Sequence, residues 1–424
     1  MGIAMSRGPR TLAPLALLAL LTALMGGCAS AQQVAPATHT ASSMRSAPPT
    51  ATPSSPPPTR SFQQAWGAAP ITRLATEVAQ NQEDFNFLNA ATPDGQWLIG
   101  EVASRALAGS TSVIPYLAAY NVHTRQIVRV HALSAPQRGV SMVATDGTWF
   151  VWQEVSNQGE LADGVIRVLN WKTGAYREYP QAMLGSLAVE NGRAIWSQIT
   201  PNEPSASAAD QTAIVRLADL NAGTAPKTLA QHATSAALAW PWAGWGVMTD
   251  TSGDGYLQFK NLATGQAIQS APIVGQTTIQ SLASSLTLHG VTAVFTMEFG
   301  GEVDEIPDVS RSAKPLAIYY NSATGMGGGL TPGLGPVSTN GRLIAWSMSS
   351  GGPIPQVFDS AERALVTLPT TSAQSYVAWT GANLLVWDDP EPAAQQQADE
   401  AAGLAPLTTL CVVDTSALPT TPPA

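Results

Sequence analysis

Between residues 84 and 417, short apolar runs alternate with turn residues, and two signatures recur in strict alternation. The first is a turn glycine followed by an apolar strand with a bulky side chain. It appears as Asp94-Gly95 with Trp97, Asp146-Gly147 with Trp149 and Trp152, Asn191-Gly192 with Trp196, and Gly244 with Trp245. It returns as Gly290 with Phe295, Asn340-Gly341 with Trp346, and Gly381 with Trp387. These glycines are spaced by 52, 45, 52, 46, 51 and 40 residues. The second signature is an apolar strand that ends in Asn or Asp before a turn, at Asn121, Asn170, Asp219, Asn261, Asn321, Asp359 and Asp414.

Each pair of signatures describes one small antiparallel sheet. Asp-Gly and Asn-Gly provide the positive φ of a tight hairpin, and a strand-terminal Asn or Asp provides an Asx turn. Such a sheet cannot hide its apolar face alone, so neighbouring units must stack. A period of ~40–50 residues with four strands per unit predicts an all-β chain folded as a β-propeller. Seven four-stranded blades are expected, with a six-bladed ring carrying one degenerate copy as the alternative. Trp152, Trp196, Trp346 and Trp387 are then expected between blades, where one Trp buries a large apolar area.

Blade seven has three strands, near Ser375 to Ala378, Leu384 to Trp387 and Thr408 to Val413, before the chain runs into the Pro- and Thr-rich end. The unassigned apolar segment Pro70–Thr76 is the candidate for its fourth strand, which would pair the two ends of the domain and cover an edge.

The Asp-Gly turn, the strand behind it and the strand ending in Asn or Asp resemble the TolB-type or WD40-like repeats of secreted bacterial propellers. Only Thr92-Pro93-Asp94-Gly95 comes close to the Ser-Pro-Asp-Gly core of the TolB type. This resemblance implies a fold and no activity. A lipidated propeller is also similar to the BamB type of outer-membrane assembly factor, although no copy here carries that type's quinoprotein-like Trp motif.

The N-terminus has a different pattern. Arg7 and Arg10 precede an apolar run from Leu12 to Met25 that ends at Gly26 and Gly27, as a secretory signal peptide does. Leu24-Met25-Gly26-Gly27-Cys28-Ala29 resembles a bacterial lipobox, with Met25 where Leu is usual. The resemblance implies cleavage after residue 27, lipidation of Cys28 and a stable membrane anchor on the extracytoplasmic side. From residue 31 to 60, Pro, Ala, Ser and Thr make up 23 of 30 residues, too few apolar groups to offset the entropy of ordering. The expected organisation is signal peptide 1–27, lipidated Cys and disordered tether 28–60, propeller 61–418 and disordered tail 419–424.

Charge narrows the functional classes. Charged residues make up 12% of the chain, about half the ~25% of an ordinary soluble domain. The net charge is −9 and only 4 of the 20 basic residues are Lys, so no basic face exists for nucleic acid. No G-x-S-x-G, S-x-x-K, H-E-x-x-H or P-loop is present. His123, His131, His232 and His289 stand singly and are expected at turns or on the surface, and Cys411 sits in an apolar strand as a small buried hydrophobe.

Two polar features carry candidate chemistry. Asp250-Thr251-Ser252-Gly253-Asp254-Gly255 resembles the start of a calcium loop, with Asp250, Ser252 and Asp254 as candidate Ca²⁺ ligands, although Gln258 and Asn261 stand where further acids would be needed. A polar hairpin turn is the favoured reading. Acidic residues gather at Glu298, Glu302, Asp304, Glu305 and Asp308 in blade five, and at Asp388, Asp389, Glu391, Asp399 and Glu400 in blade seven. Both groups are expected in connections between second and third strands, which share one face of a propeller. Glu302, Asp304, Glu305, Asp388 and Asp389 are therefore the candidate contacts for a basic protein partner or for cations. The expected role is a surface-exposed, non-enzymatic binding or assembly module. A secreted lyase or hydrolase of polysaccharide or peptide is the alternative.

Overall fold

The computed structural model describes residues 57–78, 82–106, 114–156, 164–179, 183–200, 212–248, 255–269, 285–289, 292–297, 316–321, 326–330, 337–346, 356–371 and 378–419. They form seven sheets in chain order. The first strands of the blades are Glu83–Ala91, Arg138–Thr145, Met183–Glu190, Ala233–Ala239, Ser285–His289, Val337–Thr339 and Ala378–Gly381. Each packs against the next, and the seventh packs against the first, which makes the chain a closed β-propeller with the first strands innermost. Within a blade every neighbouring pair of the four core strands is antiparallel.

The expected closure is present. Thr72–Ala75 pairs antiparallel with Thr408–Asp414, Thr72 opposite Val412 and Ala75 opposite Thr409, and so becomes the outer strand of blade seven. The N-terminal side contributes more than this one strand. Thr59–Ser61 pairs in parallel with Ala364–Thr367 of blade six, its first two residues coming from the end of the stretch expected as tether. Ser61 then caps the helix Phe62–Trp66 through a capping box with Gln64. Phe62 and Trp66 sink beside Trp387 in the core between blades six and seven, and the Trp66 indole N–H donates to Asp359 at 2.9 Å.

The turn chemistry follows the repeat. Gly147 and Gly192 adopt φ of 80° and 69°, where a side chain is strained. The strand-terminal Asn and Asp carboxyl or amide oxygens accept from backbone N–H groups two or three residues on at Asn121, Asn170, Asp219, Asn261, Asp359 and Asp414. Two of the anchor glycines are placed differently from the sequence reading. Gly244 lies inside the strand Trp242–Met248, with Trp240-Pro241 making the turn, and Gly381 ends the strand Ala378–Gly381. Trp152, Trp196 and Trp387 are buried between blades as expected, and the side chain of Trp346 lies outside the described residues.

Counting along the register shows why these positions are aromatic. The residue three beyond the partner of each strand-terminal Asn or Asp is Gly100, Trp152, Trp196, Trp245, Phe295, Trp346 and Trp387 in blades one to seven. Trp152, Trp196, Trp245 and Trp387 each pack in a core shared with the preceding blade. Blade one has glycine because Phe85, from its first strand, fills the space: a Cβ on Gly100 would lie 2.5 Å from the Phe85 ring.

Candidate functional site

The face where second strands run into third strands holds the residues of interest. In blade seven, Asp388 and Asp389 do not project from a loop. They belong to the second strand, Leu384–Pro390, and both are buried, at 8% and 4% exposure. The reason is the closing strand: Arg73 donates from Nη1 to Asp389 Oδ2 at 2.7 Å, while the Thr370 hydroxyl, the Thr371 hydroxyl and the Thr371 N–H donate to Oδ1 at 2.9, 2.8 and 2.7 Å. Burial alone would raise the Asp389 carboxyl, but the Arg73 and Thr hydrogen bonds outweigh it and hold the group below the usual carboxylate range. The hydrogen bond to Asp389 in turn raises Arg73. Asp389, one of the five candidate partner contacts, is thus an internal strut of the last blade, and Asp388 beside it is buried.

Beyond Pro390 the connection is a helix, Ala393–Ala401, none of whose residues is buried. A single arginine of blade one pins it. Arg105, at 5% exposure, pairs with Asp399, donates from Nε and Nη2 to the Ala405 carbonyl at 3.0 and 2.8 Å, and lies 4.0 Å from Glu77. The backbones join as well, since Ala405 N–H donates to Arg105 O at 2.7 Å.

Around Arg105 stand four carboxylates: Glu77, Asp84, Glu391 and Asp399. Asp84 Oδ1 is buried with no hydrogen-bond partner, and burial pushes the carboxyl up to about 6, against the Thr76 hydroxyl and the Arg105 charge, which pull it down. Burial also raises Glu391, against the N–H of Leu407. One cation faces four acids, so the seam between blades seven and one carries net negative charge. Sequence reasoning placed negative charge on this face but missed Glu77, Asp84 and Arg105. The one signal available was a lone Arg within or just after an apolar strand, Arg73 in Thr72–Ala75 and Arg105 after Trp97–Ser104.

A second titratable group lies between blades one and two. Glu154, at 1% exposure, pairs with Arg167 at 2.6 Å and accepts the Ser134 N–H at 3.0 Å. His131 is not a surface histidine: its ring stacks on Tyr176 at 5.0 Å and leans on Trp152 at 5.3 Å. Burial and then the Arg167 charge lower its pKa, so the imidazole is neutral at pH 7. Burial, followed by the hydrogen bond with Glu178, pushes Tyr176 up to about 12. All of these groups answer one another, which makes the cluster an inter-blade clasp.

Cys411 is fully buried, and burial pushes its thiol up to about 11, so it is inert at neutral pH. Among the described residues no group of three or more His, Cys, Asp and Glu side chains is disposed to hold a metal ion, and no helix is long and apolar enough to cross a membrane. Cys28, the calcium-loop residues Asp250, Ser252 and Asp254, and the blade-five acids Glu302, Asp304 and Glu305 lie outside the described residues.

No family model and no curated protein sequence matches the chain. Solved structures do resemble it. An oligogalacturonate lyase from Vibrio parahaemolyticus aligns at 10% identity and TM-score 0.47, over 81% of this chain and 98% of its own. The β-propeller domain of the trilobed protease from Pyrococcus furiosus aligns at 8% identity and TM-score 0.48, over 72% of this chain and 89% of its own. Pyrococcus horikoshii acylaminoacyl peptidase aligns at 8% identity and TM-score 0.46, over 72% of this chain and 49% of its own. At these identities and TM-scores the likenesses carry no conclusion about activity.

Proposed function

We propose that this chain is a lipid-anchored protein of the bacterial cell envelope whose propeller is a non-enzymatic binding or assembly module for a basic protein. The observation that carries the reading is the blade-seven connection. Arg105 and the Ala405 backbone fix an exposed helix at the ring seam, where Glu77, Glu391, Asp399 and the exposed Glu400 outnumber their cation. A rigid scaffold that holds excess charge on one face is suited to steering and docking an oppositely charged partner. Glu302, Asp304 and Glu305 extend the same proposal to blade five, while Asp389 supports the scaffold rather than the contact. The lipobox resemblance at Cys28 supplies the anchor, and the Pro-rich tether the reach.

Two measurements test this. Metabolic labelling with a tagged fatty acid should mark the wild-type chain and not Cys28→Ser; an unlabelled wild type refutes the anchor. Mild crosslinking in the native membrane should capture a stoichiometric basic protein that is lost from Glu391→Gln/Glu400→Gln and from Glu302→Ser/Asp304→Ser/Glu305→Ser. An empty capture with wild type, or a partner retained by both variants, refutes docking at the acidic rim.

A further inference from the structure

The two faces of the ring differ in chemistry. The acidic seam stands where second strands run into third strands, and the opposite face carries the turns from first to second and from third to fourth strands. Among the described residues, that opposite face holds Trp97 and Trp171 in blades one and two, their rings edge-on at 5.7 Å, and Trp240 and Trp242 in blade four. All four are half-buried. Arg193 lays its guanidinium 3.9 Å from the centre of the Trp240 ring. On the outer rim, at the turns from third to fourth strands, stand the exposed Arg125, Lys172, Lys227 and Arg363 of blades one, two, three and six.

The carboxylates of this face are mostly engaged within the ring. Asp146 and Glu190 accept the N–H groups of Gly192 and Trp240, each in the next blade, at 2.7 and 2.6 Å. Asp359 and Glu362 pair with Arg342 and Arg60 at 2.8 and 3.0 Å, and Asp219 lies 3.8 Å from Arg193. The exposed acids are Asp94 and Asp414, each of which accepts a backbone N–H of its own turn. Exposed cations therefore outnumber exposed acids here, the reverse of the acidic seam. The N-terminal part of the chain joins the domain at this same face. Pro58 O accepts the N–H of Leu365 at 2.9 Å, where the fourth strand of blade six begins, and Arg363 is two residues away.

We propose that this face docks on an anionic phospholipid surface, with the half-buried tryptophans at the level of the headgroups and the rim cations on the phosphates. Trp is the side chain favoured at a membrane–water boundary, since its ring is apolar and its N–H is polar. Each Lys or Arg close to an anionic leaflet strengthens binding about fivefold. These cations are too few to hold nucleic acid, but they act on a domain whose covalent link to Cys28 already leads from this face. Docked in this way, the domain turns its acidic seam away from the lipid, where anionic headgroups do not repel it and a basic partner can reach it. The inference rests on the anchor reading and adds to it a fixed orientation.

The test uses the full chain on vesicles of phosphatidylethanolamine and phosphatidylglycerol, with one nitroxide label per molecule. Ala175→Cys and Ala222→Cys place the label on exposed turns of this face, and Ala394→Cys places it on the exposed helix at the acidic seam. Accessibility to a water-soluble nickel relaxant should fall on vesicles for the first two labels and stay unchanged for the third. Lys172→Gln/Lys227→Gln, with an unchanged Tm, should lower the ratio of docked to undocked domain about 25-fold, at about fivefold per charge. Vesicles of phosphatidylcholine alone should restore access in the same way. Equal access at all three labels overturns the proposal, as does shielding at Ala394→Cys. Shielding that survives both the Lys variant and phosphatidylcholine overturns it too. Fatty-acid labelling at Cys28 reports on the anchor separately, so an unlabelled chain whose first two labels are still shielded refutes the anchor and supports the docking face.

Discussion

Arg73 and Asp389 are 316 residues apart in sequence and 2.7 Å apart in space, and their hydrogen bond ties the N-terminal strand to the last blade. The pair is asymmetric: the Arg73 side chain is 50% exposed and that of Asp389 is 3%.

That asymmetry sets the order of mutational effects. Asp389→Ala removes an acceptor from four donors inside the blade and is expected to cost about 2–3 kcal/mol, whereas Arg73→Ala loses a half-solvated partner and should cost about 1 kcal/mol. The Asp389 carboxyl lies below its unfolded value, so its contribution is full above about pH 4 and is lost as pH falls through the lower folded value. Urea unfolding from pH 7 to pH 2 should show the wild-type advantage over Asp389→Ala shrinking in acid. An Arg73→Ala cost larger than that of Asp389→Ala would contradict the assignment of the buried partner.

The repeat was legible because its signals are local. A turn needs Gly or Asx chemistry at a fixed place, and a blade seam needs a bulky residue three positions on, so both leave a period in the sequence. Even the closing strand could be read, from a missing strand at one end and a spare one at the other. The site was legible only as an excess of acid on one face. Whether Asp389 points outward or inward depends on Arg73, Thr370 and Thr371, three residues with no shared local pattern. In the same way, the helix Ala393–Ala401 reads as a solvated acidic loop until Arg105, nearly 300 residues earlier, fixes it.

Asp84 gives the opposite pH dependence. Its folded value of about 6 lies above the unfolded carboxylate value of about 3.9, so the seam is most stable below about pH 4 and loses that contribution as pH rises through 6. Asp84→Asn removes the charge that burial disfavours. The variant should be more stable than wild type at pH 7.5, by about 1–3 kcal/mol, with the difference vanishing near pH 4. Chemical denaturation midpoints across that range measure it, and a variant less stable than wild type at pH 7.5 would show that Arg105 stabilises the Asp84 anion more than burial opposes it.

Asp359 and Asn261 hold the same place in the repeat and should differ sharply when truncated. Among the described residues Asn261 accepts from local turn N–H groups, those of Ala263 and Thr264 at 3.0 Å, so Asn261→Ala is expected to cost about 1 kcal/mol. Asp359 is fully buried and accepts from Trp66 Nε1 at 2.9 Å and from Arg342 Nη2 and Nε at 2.8 and 3.1 Å, besides its own turn. Asp359→Ala leaves a buried guanidinium contact and an indole N–H unmet and should cost about 3–5 kcal/mol. Thermal unfolding of the two variants side by side separates turn chemistry from the anchoring of the N-terminal helix; equal losses would deny Asp359 that second role.

Gly100 and Phe85 share the role that a single Trp fills in blades two, three, four and seven. A Cβ at residue 100 would lie 2.4 Å from the Asn86 carbonyl and 2.5 Å from the Phe85 ring, and Phe85 is itself buried, with its ring edge-on to Tyr120 at 5.3 Å. Gly100→Ala should therefore cost about 1–3 kcal/mol through overpacking, and Phe85→Ala about 3–5 kcal/mol through the cavity it leaves. The double variant should cost less than the sum, because removing the ring relieves one of the two clashes while the Asn86 carbonyl maintains the other. A coupling of about 1 kcal/mol in a double-mutant cycle is the expected result, and strict additivity would mean that the glycine is required by the backbone contact alone.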